Sequence, residues 1–264
     1  MVDLSIFFDE SGKKQDKPHL MGALSIPNNI YSLPTLEELK PVISEKEIHW
    51  KNYDGDSKER RIITKIIKTI LDHHQFVKMN IIYYDQSIIE EKSKNFKDVD
   101  ENLCDSTIYM KLPERIVYGL IRNYGRLSSI NAQIIIEEAT EYKKPNVNLK
   151  EQLPKQLNIQ AIYRGENFKI IHSRYASKGT EVGLESTDIL LGMVRTIVTN
   201  PSYTSRKKKA QIRLIMTLLK DERFFSFLKQ IKYYEWSSSH QLTEVSFINY
   251  LQLFMSTNYS LYME

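Results

Sequence analysis

Carboxylates stand at the ends of the most apolar segments of this chain, and they are the side chains best placed to do chemistry. Asp9 and Glu10 close the run Leu4-Ser5-Ile6-Phe7-Phe8, and Glu137 and Glu138 close Ile134-Ile135-Ile136. In α/β sheets ligands bind beyond strand ends, so both pairs mark candidate cleft positions. Were the two strands sheet neighbours, one acid from each would approach the other and repel it unless a cation intervened. Clustered Asp and Glu without His or Cys suit hard divalent ions, and two such ions can stabilise both the attacking and the leaving oxygen of a phosphodiester displacement. Turn chemistry also favours acids where strands end, so each pair taken alone admits a plain loop reading. A third acid, Asp188, lies within Glu181–Arg195. At 100° per residue it shares a face with Glu185, Gly192, Arg195 and Thr199, opposite Leu190, Met193, Val194 and Ile197. Periodicity makes Asp188 a surface residue, with Gly192 leaving room above that face and Arg195 suited to pairing with a phosphate.

The elements that must position these acids follow from periodicity. Strands are expected at Val2–Asp9 and His19–Ile26, joined as a hairpin, then at Phe76–Tyr84, Ala132–Ile136 and Phe168–Ser173. Helices are expected at Ser57–Asp72, Ser106–Tyr124, 148–157, Glu181–Thr199, 206–230 and 243–257. Early strands followed by alternating strands and helices predict an α/β layered domain with a mixed sheet.

The chain has 264 residues and 41% hydrophobic composition, enough for a sizeable core, and no low-complexity linker interrupts it. No run approaches the roughly 18 to 20 apolar residues of a membrane span, so no membrane partner is expected. The acids Asp3, Asp9 and Glu10 near the start oppose an export signal, which leaves a cytoplasmic location as the expectation. A single cysteine, Cys104, excludes an internal disulfide and a cysteine-based zinc site. Asp72-His73-His74 is read as a helix end and not as a phosphoesterase triplet. No G-x-x-x-x-G-K-[ST], G-x-S-x-G or H-E-x-x-H motif occurs, which argues against P-loop, α/β-hydrolase and zincin chemistry. The net charge of +4 hides an uneven distribution, because residues 206–232 carry nine Lys and Arg against two acids. That stretch suits a polyanion, although a solvated helix face is the plainer reading. Tyr233, Tyr234 and Trp236 follow it and suit either base stacking or the core, with the core favoured.

The segment Asp9-Glu10-Ser11-Gly12, the strand ending Ile-Ile-Ile-Glu-Glu, and HSRYASKGTEVGLESTDILLG at 172–192 together resemble the bacterial domain-of-unknown-function 3800 family, over roughly residues 3–199. The resemblance implies a ribonuclease H-like mixed sheet flanked by helices over 1–200, with 201–264 as a basic helical C-terminal extension packed on that core. It implies Asp9, Glu137 and Asp188 as catalytic, metal-facing acids for Mg2+ or Mn2+. Glu47, in Glu47-Ile48-His49, resembles a Glu-x-His element and joins them as a fourth. Ser11, Lys13, His49, Ser173, Lys178 and Arg195 are the substrate-binding candidates, with Lys14 beside them. Departures exist: Glu185 stands where Gln is usual, Thr187 where Ala is usual and Glu137 where Asp is common. The activity implied is two-metal hydrolysis of phosphodiesters in DNA or RNA, in phage-defence or mobile-element biology. A non-catalytic nucleic-acid- or protein-binding module on the same fold is the alternative. A homodimer or a partner protein encoded nearby fits either.

Overall fold

The computed structural model describes every residue except 13–15, 47, 97–99, 101, 123, 125–127, 204, 237–240 and 264. Its centre is a seven-stranded mixed sheet ordered β5-β4-β1-β2-β3-β6-β7. The strands are β1 (Val2–Ser11), β2 (His19–Pro27), β3 (Lys78–Tyr84), β4 (Ile130–Glu137), β5 (Phe168–Ala176), β6 (Lys232–Trp236) and β7 (Leu242–Val245). β1, β2 and β3 form an antiparallel meander, and β4 and β5 then run parallel to β1. β6 lies parallel to β3 and antiparallel to β7. The expected α/β architecture with a mixed sheet is therefore the observed one.

Successive side chains of a strand point to opposite faces, and the core divides accordingly. Phe7, Leu20, Leu24, Met79, Ile81 and Ile135 join one apolar cluster, whereas Leu4, Ile6, Phe8, Ile82, Ile134 and Ile136 join the other. The principal helices are α1 (Ser57–Leu71), α2 (Leu112–Ile121), α3 (Leu149–Arg164), α4 (Val182–Thr199), α5 (Arg206–Leu218), α6 (Glu222–Gln230) and α7 (Phe247–Thr257). The first cluster includes α1, α4, α5, α6 and α7, and the second α2 and α3. α1 starts where the Asp56 side chain accepts from the Glu59 backbone N–H at 2.8 Å, and it buries Ile62, Ile63, Ile66, Ile67, Ile70 and Leu71 along one stripe. α4 ends at Asn200, which adopts a left-handed backbone (φ 39°) directly before Pro201.

Two expectations change. The stretch 201–264 is not purely helical: its β6 and β7 extend the same sheet beyond β3. Nor is α4 a half-exposed helix, because Glu185 and Gly192 on the face of Asp188 are buried along with its apolar residues. Gly183 lets α4 approach β1 closely, since a Cβ there would fall 2.3 Å from the Phe7 ring. Among the described residues, no helix is long and apolar enough to cross a membrane.

Candidate functional site

The alternation of faces decides which acids meet. Asp9 shares the face of Phe7 and Glu137 that of Ile135, so both point toward α4. In the parallel register Phe8 lies opposite Ile136, which brings the next residues, Asp9 and Glu137, side by side at the carboxyl ends of neighbouring strands. Glu10 points the other way. It accepts from Tyr84 Oη at 2.5 Å and Tyr142 Oη at 3.3 Å, away from this cluster. Glu138 pairs with Lys143 and Ser177 at the surface.

Asp188 arrives from α4, and the turn after β5 brings Lys178 between the acids. Its Nζ lies 2.9 Å from Glu137 Oε1 and 3.3 Å from Asp188 Oδ1, and it donates to His49 Nδ1 at 3.1 Å. The second Asp188 oxygen accepts from the Trp50 backbone N–H at 3.2 Å. Asp9 is 1% exposed and hydrogen-bonds the Glu137 carboxyl. Burial raises the Asp9 carboxyl well above the usual range; the hydrogen bond and charge of Glu137 raise it further, and Lys178 opposes both. At Lys178, burial disfavours the ammonium, but Asp9, Asp188 and Glu137 outweigh it and push the group above the ordinary lysine value. The site is thus a three-carboxylate cluster only partly offset by one internal ammonium.

The support of this cluster is largely absent from the sequence motifs. The Trp50 indole packs in the space that Gly192 leaves, where a Cβ would come within 2.2 Å of the ring, so that room is filled by protein. Trp50 Nε1 donates to Thr196 at 3.0 Å, and Gln211 of α5 donates to the Trp50 carbonyl at 2.9 Å. Glu185 accepts from the Gly179 backbone N–H at 2.7 Å and so holds the turn that carries Lys178. Burial raises the Glu185 carboxyl above its usual value. Its neutral form has the shape of the Gln that the resemblance places there.

The remaining candidates divide. Ser11 lines a cavity of about 310 Å³ together with Lys17, Lys51, Asp188, Lys207 and Lys208. Burial first, and then Arg195 and Lys207, pull the Lys208 ammonium below its ordinary value, while Asp16 opposes them. Arg195 borders the cavity, but its guanidinium is engaged: Nη2 and Nη1 reach Asp16 at 2.6 and 3.2 Å and the carbonyls of Asp16 and Lys17 accept from Nη2. It clamps the β1–β2 connection and is not poised for phosphate. Ser173 is buried within β5 opposite Ile134, three residues back from the level of Glu137, which at ~3.3 Å per residue is roughly 10 Å from the cluster. Glu47, Lys13 and Lys14 lie outside the described residues. Tyr233 is buried in β6 against Phe247 and Tyr250, in agreement with the core reading.

In donor type, three carboxylates fit a hard divalent cation. Among the described residues, no group of three acids, histidines or cysteines is arranged to hold an ion, and Lys178 sits against Glu137 and Asp188. An α/β domain with an acid cluster at the carboxyl ends of two parallel strands is the class that fold and site define. No family model, curated protein or solved structure matches the chain, and its resemblance to a known family rests on the motifs alone.

Proposed function

We propose that the protein is a metal-dependent nuclease that hydrolyses phosphodiesters at the Asp9, Glu137 and Asp188 cluster. The observation that carries this reading is the convergence of three carboxylates from β1, β4 and α4 beside a cavity lined by Lys17, Lys51, Lys207 and Lys208. Anionic backbone entering that cavity would be drawn by the lysines to the edge of the acids. The strand order β3-β2-β1-β4-β5 is compatible with a ribonuclease H-like core. Magnesium or manganese held by Asp9, Glu137 and Asp188 would supply an activated water and neutralise charge at the leaving oxygen. With an ion held by the carboxylates, Lys178 would be available to pair with the scissile phosphate. His49, beside Lys178 and Asp188, would orient a water or a phosphate oxygen.

A second reading, a non-catalytic nucleic-acid-binding module, draws on the same ammonium: Lys178 satisfies the acids without any metal. Labelled single-stranded, double-stranded and hybrid DNA and RNA, incubated with wild type and Asp9→Asn in manganese, magnesium or EDTA, separate the two. The nuclease reading expects manganese- or magnesium-dependent cleavage that Asp9→Asn abolishes. Folded wild type that retards nucleic acid on a gel but cuts none of these substrates would replace it with the binding module.

A further inference from the structure

A larger cleft, about 720 Å³, opens between α1 and α5, away from the acid cluster. Seven of its lining residues are Lys or Arg and only Asp54 is acidic. Among them Arg61, Lys65 and Lys68 stand on α1 and Arg206, Lys209 and Arg213 on α5, all exposed. On each helix the spacing of three and four residues keeps the cations on one side, so two basic stripes face each other across the cleft. A solvated helix face normally interleaves acids at these spacings, and two cationic walls brought together repel. Segments some 150 residues apart in sequence thus bear the cost of concentrating positive charge in one concave place.

We propose that this cleft binds the phosphodiester backbone of the nucleic acid whose adjoining stretch reaches the acid cluster, an inference that rests on the nuclease function proposed for that cluster. Each stripe runs over about seven helical steps, about 10 Å of helix at ~1.5 Å per residue, which matches roughly three phosphates at ~3.4 Å per strand. The cleft and the site are joined through one short segment: Tyr53, Asp54 and Gly55 line the cleft, Lys51 lines the cavity at Asp188, and the Trp50 N–H bonds Asp188 itself. α5 serves both places, with Arg206, Lys209 and Arg213 toward the cleft and Lys207 and Lys208 toward the cavity. A strand leaving the acids therefore has cations of α5 to meet in both places.

Fluorescence anisotropy of labelled duplex and single-stranded 20-mers in EDTA, from 50 to 300 mM KCl, tests this on the full chain. Three proteins are compared: wild type, the triple variant Arg61→Ala/Lys65→Ala/Arg213→Ala, and a control triple, Arg115→Ala/Lys155→Ala/Arg164→Ala, on the helices of the opposite side of the sheet. Circular dichroism verifies folding; the substituted side chains are all exposed. The cleft triple is expected to weaken binding on the order of 10- to 100-fold and to reduce the slope of log K against log salt by about 2 to 3, with the control near wild type. Equal affinity and slope in wild type and the cleft triple would overturn the inference. So would binding to vesicles rich in phosphatidylserine without binding to any oligonucleotide. Cleft-dependent binding without cleavage in manganese would leave the cleft standing and remove the nuclease reading; cleavage whose kcat/KM ignores the cleft triple would do the reverse.

Discussion

Lys178 is the residue on which the electrostatics of the acid cluster turn. Its Nζ contacts Glu137 and Asp188 directly and lies in the field of Asp9. Removing one member of a buried charge group costs ~3–5 kcal/mol, and less where solvent reaches, as it does at these partly exposed side chains. Lys178→Met is therefore expected to lose about 2–3 kcal/mol in EDTA. That corresponds to a fall in Tm of roughly 4–10 °C for a chain of this size. Millimolar manganese should restore most of the loss while shifting wild type far less, which thermal denaturation with and without the ion will read. An unchanged Tm for the variant in EDTA would mean that the acids hold one another through shared protons alone. Much of this cluster was legible in the sequence, since strand alternation separates Asp9 from Glu10 and each motif names its acid. The seat of Lys178 was not, because it depends on how the turn after β5 folds back over α4, which Glu185 fixes through a backbone N–H.

Among the elements, the β1–β2 connection is secured from a distance. Arg195 grips Asp16 across 179 positions of sequence, and Lys51 adds a second ion pair at 3.2 Å. Arg195, with Lys51 in support, lowers the Asp16 carboxyl to about 2. A carboxyl whose pKa is lower folded than unfolded adds stability above about pH 4, and that stability fades as pH falls toward 2. Urea denaturation of wild type and Asp16→Asn should thus differ at pH 6 and converge between pH 4 and 2; a gap that persists at pH 2 would assign the effect to packing. Periodicity correctly put Arg195 on the side of Asp188 but could not reveal a partner so remote. The same limit hid β6. Lys232–Trp236 is five residues long, directly follows a helix, and becomes a strand only because β3, about 150 residues earlier, offers an edge. α4 misled for the opposite reason: its polar face implies solvent, yet Trp50 and α5 cover it.

For the molecule as a whole, the boundary expected at residue 200 runs through a single core. Ile212, Ile215, Phe224, Phe227, Tyr233 and Phe254 belong to the same cluster as Ile63, Ile67 and Met193. A chain ending at Asn200 would expose that face and the edge of β3, and such exposed apolar surface and strand edges favour aggregation. It is expected to show no cooperative thermal transition by circular dichroism, where the full chain shows one. A cooperative transition in the shortened chain would instead establish 1–200 as an independent unit.

The strand order also governs when the molecule can act. As the chain emerges from the ribosome, β1, β2 and β3 can pair at once, but β4 must then return to the far side of β1 and β6 to the far side of β3. Asp9 precedes its partners at 137, 178 and 188 in chain order, and the second wall of the basic cleft comes later still. The half-made protein thus carries its first acid without a site. A chain built in this order completes the cluster of Asp9, Glu137, Lys178 and Asp188 only when α4 packs on β1 and β4.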